Sequence, residues 1–351
     1  MLFAFGSNGS GQLGLGHKED VDSPQATNFH QAGSGNIPIA IAAGGNHTLV
    51  RTAAGSVYAT GENDNNRCGI NGILSSKFVK VGDQVVGFDL SSATWEASTF
   101  VDDQDRVYVS GAGRKGEIGL GSSIETADMT LIPNFPPPGT TIVDLAASMG
   151  HTVAVLSNGE VWGWGNGRKG QLGDSVKKIA WSPLRIDGIP FHAVRAVCGR
   201  EFTFIAGHPE EGCHIILGSD KWNIKSQAPE KLPTWRDIGA GWSAIYVLLQ
   251  SGELIAWGRN DHGQLPPSNL PALAKIAIGS EHAIALTESS QVLAWGWGEH
   301  GNCGPGEKSN DIKGCFNQIY VRGKVTGIGA GCATSWIITQ NSQQASTIKE
   351  S

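Results

Sequence analysis

The stretch His151-Thr-Val-Ala-Val-Leu-Ser-Asn158-Gly159-Glu-Val-Trp162-Gly-Trp164-Gly165-Asn-Gly-Arg-Lys-Gly170-Gln-Leu-Gly173 decides the fold. It reads as an apolar run, an Asn-Gly pair, a second apolar run and a glycine-rich loop. An Asn-Gly pair between two apolar runs signals a hairpin, because both residues tolerate positive φ. Moving outward, the preceding residues Ala146-Ala-Ser-Met-Gly150 match Ala42-Ala-Gly-Gly-Asn46, and His47-Thr-Leu-Val then repeats His151-Thr-Val-Ala. That copy turns at Ala54-Gly55 and continues as Ser-Val-Tyr-Ala. The loop recurs as Gly6-Ser-Asn-Gly-Ser-Gly11-Gln-Leu-Gly14, with weaker copies beginning at Gly61, Gly111, Gly218, Gly258 and Gly296.

These seven loop glycines are separated by 55, 50, 54, 53, 40 and 38 residues. Roughly fifty residues of paired strands per unit is the size of a propeller blade. The shorter late spacings predict trimmed connections, with all seven blades kept. The two ends are complementary: the pair of strands around Gly329 to Thr339 has no glycine loop after it, and the loop at Gly6 has only the short strand Leu2 to Phe5 before it. Together they make one unit, which predicts an all-β, seven-bladed β-propeller over residues 1–340. The N-terminal strand closes the ring beside the C-terminal ones and so removes two exposed edges. Residues 341–351 are polar and aperiodic and read as a loose tail.

Composition agrees. The chain of 351 residues contains 49 glycines and 11 tryptophans, as a protein of many tight turns and packed sheets would. Its net charge is −6 and no run of Lys or Arg exceeds two, which argues against direct nucleic-acid binding. None of the six cysteines forms a CxxC pair or a zinc-ligand spacing. The opening Met1-Leu-Phe-Ala-Phe is no secretory leader, and no apolar run is long enough for a membrane-spanning helix. Reduced thiols and a cytoplasmic and nuclear location are therefore expected, with no membrane partner and no cofactor.

The repeat resembles that of the regulator of chromosome condensation family over residues 1 to about 339, through its Gly-His-Thr element and Gly-Gln-Leu-Gly loop. Within the family, the opening Phe3-Ala-Phe-Gly-Ser-Asn-Gly9 and the near-bare propeller length are most similar to the fungal alpha-tubulin suppressor group.

Several motifs carry a plainer reading than their chemistry suggests. Gly111-Ala-Gly113-Arg-Lys-Gly116 fits the dinucleotide pattern GxGxxG, but so do the loops at Gly9, Gly165 and Gly296, and no helix pattern follows any of them. His47, His151 and His282 occupy one repeat position, fourteen residues before a loop glycine, where other blades carry Ala97, Phe202, Ala244 or Thr334. Buried structural imidazoles are the expectation there, with no metal site. Trp162, Trp164, Trp257, Trp295 and Trp297 lie in or just after second apolar runs and are expected to pack between sheets. No nucleophile elbow, HExxH motif or spaced carboxylate pair appears, so no enzyme is expected.

A binding surface is expected instead. Two residues before the histidine position, at a turn on one face, the ring reads Gly45, Trp95, Met149, Arg200, Trp242, Ser280 and Cys332. Trp95, Met149, Arg200 and Trp242 are residue types enriched at protein interfaces. The fifth blade breaks the loop pattern with Ser-Asp-Lys221-Trp222-Asn-Ile-Lys225, which marks Lys221 and Trp222 as a local surface with its own task.

The resemblance implies a non-catalytic scaffold. The alpha-tubulin suppressor group pairs with a small zinc-ribbon-like, metal-binding protein of the diphthamide pathway. That pair is implicated in electron supply for diphthamide synthesis on elongation factor 2 and for Elongator-dependent modification of tRNA wobble uridines. On this expectation the chain binds no metal itself and offers its partner an apolar and basic patch. The alternatives are nucleotide exchange on a small nuclear GTPase, as in the founding family member, and a link to tubulin. Light sensing, as in the plant ultraviolet-B receptor, requires arginines beside the tryptophans, whereas Glu96 and Ser243 follow Trp95 and Trp242.

Overall fold

A computed structural model describes residues 1–29, 36–74, 76–82, 87–306 and 311–340. The predicted tail, 341–351, lies outside the described residues. Seven antiparallel sheets form the blades. Blade 1 joins both ends of the chain, in the order Val21–Ala26, Leu2–Gly6, Thr334–Gln340 and Lys324–Ala330. Its closing register runs from Leu2 opposite Ile338 to Gly6 opposite Thr334. Blade 2 begins at Pro38–Ala43, blade 3 at Phe88–Ala93, blade 4 at Ile142–Ser148, blade 5 at Arg195–Cys198, blade 6 at Trp235–Ala240 and blade 7 at Leu273–Ile278. These first strands, with Lys324–Ala330 of blade 1, touch one another in an unbroken circle and line the central channel.

The loop glycines explain why the repeat is legible. Gly6, Gly61, Gly111, Gly165, Gly218, Gly258 and Gly296 each lie at the end of a third strand or one residue before it, with φ between +101° and +121°. Each faces the histidine position of its own blade, as Gly61 faces His47 and Gly165 faces His151. A Cβ at Gly165 would lie 2.4 Å from the carbonyl oxygen of Gly150. Only glycine accepts both that backbone and that approach.

The hairpins at the opposite face correct one detail. Gly159 is left-handed and Asn158 is not. Leu156 N–H donates to the Glu160 carbonyl, and Gly159 N–H donates to the Leu156 carbonyl. This is a three-residue turn that needs a single positive φ, and the Asp105 and Ser290 turns repeat it.

Side chains lock neighbouring blades together. His47, His151 and His282 are buried, and the Nε2 of each lies 2.9–3.0 Å from a hydroxyl of the next blade: Ser98, Thr203 and Ser335. The Thr203 hydroxyl donates to the Gln171 carbonyl and that of Ser335 to the Asn302 carbonyl. The imidazoles of His151 and His282 must then donate through Nε2–H. The Gln of the Gly-Gln-Leu-Gly loop turns back on the loop, as Gln171 Oε1 accepting Lys169 N–H, while Leu172 is fully buried among blade residues.

Blades 5 and 6 have three strands where the others have four. The shortened spacing therefore removes the outer strand as well as trimming the connection. The chain returns through Pro229 and Pro233 after blade 5, and through Pro266, Pro267 and Pro271 after blade 6. Proline cannot donate to a ladder.

Candidate functional site

The turns between first and second strands and the glycine loops lie on one face, because each third strand ends beside the start of the second. All six residues expected at a partner surface are on that face. The structure divides them into two groups that meet at Trp242.

The first group closes the mouth of the channel. Trp95 lies over Gly45, where a Cβ would come 2.7 Å from its ring, and reaches across to Trp242 with ring centroids 5.9 Å apart. Backbone bonds link neighbouring turns of this face: Trp95 N–H to the Met149 carbonyl, Arg200 N–H to that of Trp242, and Trp242 N–H to that of Ser280. Met149 lines the channel and does not reach the second group.

The second group forms a groove of about 350 Å³ over blades 5 to 7, lined by Arg200, Lys221, Trp222, Trp242, Arg259 and Trp297. Arg200 stands 5.8 Å from the Trp242 ring, and Arg259 stands 5.2 Å from the Trp222 ring. Arg259 is held by the buried carboxylate of Glu281 at 2.9 Å and by Asp261 at 2.6 Å. Its hydrogen bond to Asp261 lowers that carboxyl's pKa to about 2. Glu281 also accepts from Gln264 Nε2 at 2.8 Å, so the groove floor is fixed from below. Trp297 stacks on His262 with centroids 4.4 Å apart. A second cavity, of about 170 Å³, lies between Trp242, Trp297 and Cys332, and makes Trp242 a wall of channel mouth, groove and cavity alike.

Two sequence readings are corrected here. Trp164, Trp257 and Trp295 are buried and Trp162 packs against the same kind of core, but Trp297 is half-buried and lines the groove, contrary to its expected place between sheets. Arginines do stand beside the tryptophans, across loops and not along the chain: Arg200 reaches Trp242 and Arg259 reaches Trp222. Nothing in the sequence marks Arg259, because its place in the groove depends on blade 6 standing beside the loop of blade 5.

Charge is unevenly placed round the face. The loop tips of blades 3 to 5 carry exposed Arg114, Lys115, Arg168, Lys169 and Lys221, with Arg200 inside them. The equivalent tips of blades 2, 6 and 7 carry exposed Asp64, Asp261 and Glu299. Neither Arg200 nor Lys221 makes an ion pair with a described residue. Among the described residues no group of three or more His, Cys, Asp or Glu is placed to hold a metal ion.

The fold is a closed β-propeller, and this face of it is aromatic and basic-edged around Trp242. A family model described as the RCC1-like domain matches residues 1–337, and the chain belongs to that family. It is similar to the RCC1 repeat-containing protein C10F6.04 of Schizosaccharomyces pombe, at 32% identity over 75% of this chain and 78% of that protein. It is also similar to the mouse secretion-regulating guanine nucleotide exchange factor, at 26% identity over 76% of this chain and 61% of that one. Among solved structures, Prp20p of Saccharomyces cerevisiae superposes with a TM-score of 0.83 at 21% identity, covering 99% of this chain and 94% of that one, which speaks to the fold alone.

Proposed function

We propose that this propeller is a non-catalytic scaffold that binds a small acidic protein on the face centred on Trp242. The observation that carries this reading is the convergence of Trp95, Trp222, Trp242 and Trp297 with Arg200 around one connected set of cavities. Half-buried aromatic anchors beside arginine are the usual centres of binding energy at protein interfaces. The basic arc over blades 3 to 5 suits an acidic partner and speeds its encounter. The likeness of Phe3–Gly9 to the alpha-tubulin suppressor group supports a particular partner: the small zinc-ribbon-like protein of the diphthamide pathway, through which the scaffold would serve diphthamide synthesis and Elongator-dependent tRNA modification.

Gel filtration of the purified chain with that metalloprotein tests the reading. A one-to-one complex weakened by Trp242→Ala or Trp95→Ala is expected. A second reading, guanine nucleotide exchange, is favoured by the 26% identity to the secretion-regulating exchange factor. Failure to form the complex, together with faster nucleotide release from the small nuclear GTPase, would replace the first reading with the second.

A further inference from the structure

The residue two positions before each loop glycine shows what blades 5 and 6 lack. In five blades it pairs with an outer strand: Ala4 with Gln25, Ala59 with Val79, Val109 with Thr130, Gly163 with Leu184, and Ala294 with Asn317. In blades 5 and 6 it is Ile216 and Ala256, and no strand lies beyond. The hydrogen-bond alternation of blade 5 is fixed at both ends, by Gly207 N–H to the Cys213 carbonyl and Ser219 N–H to the Glu201 carbonyl. Ile215 and Leu217 therefore bond inward, while His214 and Ile216 aim N–H and C=O outward. No described residue bonds the outward amide of Ile216.

Burial tells the same story. The third strands of blades 1 and 2, Leu2–Gly6 and Val57–Gly61, are buried throughout, whereas all five residues of His214–Gly218 are half-exposed. Proteins blunt such an edge with lysine, proline or a bulge, and His214-Ile-Ile-Leu-Gly218 has none of these.

We propose that the outer edge of blade 5 takes up an extended segment of a protein partner as its missing fourth strand. The blade's geometry sets the segment's chemistry. An antiparallel strand would begin at the Gly218 end, near Lys221, which has no ion-pair partner among the described residues. An acidic residue followed by small and β-branched residues fits, as Glu125 precedes the outer strand Thr126–Leu131 in blade 3. The edge also runs directly into the groove through Lys221 and Trp222, so one partner could engage both. The inference does not depend on what occupies the Trp242 face.

Amide hydrogen exchange resolved by NMR tests it, with a synthetic peptide copying residues 124–131 as the probe. In the free protein the Ile216 amide is expected to exchange about a hundredfold faster than its paired equivalent Ala294. Millimolar peptide should slow Ile216 at least about fivefold. The same peptide N-methylated at the residue copying Thr130 should not, and neither should the parent peptide act on Ile216→Pro. If that variant fails to fold, the N-methylated peptide still decides. Protection of Ile216 equal to that of Ala294 in the free protein, or indifference to the peptide, overturns the proposal. A concentration-dependent dimer abolished by Ile216→Pro also overturns it, assigning the edge to a second copy. Trp242→Ala should leave the peptide effect intact, which separates this test from that of the face.

Discussion

Acid should loosen this propeller at three defined joints. Burial lowers the pKa of His47 to about 3 and those of His151 and His282 to about 4. The Nδ1 atoms are buried and without a hydrogen-bond partner, and the backbone at Phe202 and Thr334 offsets only part of the burial cost of charging His151 and His282. In the unfolded chain each imidazole returns to about 6.5. The folded pKa is depressed, so the stabilisation is complete above pH 6.5 and is lost as pH falls, until the folded pKa is reached. At pH 5 the loss is about 2 kcal/mol per histidine, or about 6 kcal/mol for the three. Glu117 and Asp237, whose carboxyls are raised by burial, act in the opposite sense and offset part of it. Comparison with a variant cancels that contribution.

His151→Gln should cost about 1–3 kcal/mol at pH 7.5, where it disturbs the bond to Thr203. Between pH 6 and 4.5 its slope should be shallower than the parent's by about 1 kcal/mol per pH unit, the share of one imidazole. Urea unfolding followed by tryptophan fluorescence across this range provides the measurement. A parent whose stability is flat from pH 7.5 to 5, or a variant that keeps the full slope, would refute the account of the imidazoles as neutral joints between blades.

Other perturbations separate position from residue type. Gly165→Ala, which drives a Cβ against the Gly150 carbonyl at φ +101°, should cost on the order of 3 kcal/mol by chemical denaturation, while Gly188→Ala, at φ +82° with open space around it, should cost about 1 kcal/mol. Trp242→Ala should weaken partner binding by about 2–4 kcal/mol, roughly thirty- to a thousandfold by titration calorimetry, with a much smaller change in unfolding midpoint. Iodoacetamide and mass spectrometry should find Cys213 and Cys315 modified in the native protein, while Cys68, Cys198 and Cys303, whose thiol pKa values burial drives upward, react only after unfolding. Trp222→Asn should stabilise the fold by about 1 kcal/mol in thermal or urea unfolding and weaken the partner complex.

The ring was legible because one steric demand recurs: wherever a third strand ends, a carbonyl of the same blade occupies the place of a Cβ. Closure was legible from the incomplete ends, and the register of Leu2–Gly6 against Thr334–Gln340 agrees. The missing outer strands leave only a faint signal in the sequence, in Pro229, Pro233 and the prolines from 266 to 271. Spacing alone does not distinguish a short loop from an absent strand. Trp95 and Trp242 stood out as large side chains at turn positions. Trp297 and Arg259 did not, since both follow strands much as core residues do, and only the neighbouring loops turn them toward the groove.

Blade 5 concentrates the departures from the repeat, and their coincidence argues for use over drift. The loop residue five positions beyond the strand-end glycine is left-handed in every blade and is Gly or Asn throughout, from Gly11 to Gly301. The residue before it is left-handed only in blades 2 and 5, as Asn65 and Trp222. Asparagine accepts that backbone readily; a bulky aromatic there is a true outlier, costing roughly 1–3 kcal/mol. Trp222 is nonetheless 40% exposed and regains little by burial, while Arg259 and Lys221 flank its ring. On the same blade Arg200 takes the turn position and the outer edge is open. Random loss of a strand would leave the neighbouring loop free to relax. A strained tryptophan, an arginine without an ion pair among the described residues and an unblunted strand edge, joined end to end, instead support the binding role proposed above for blade 5.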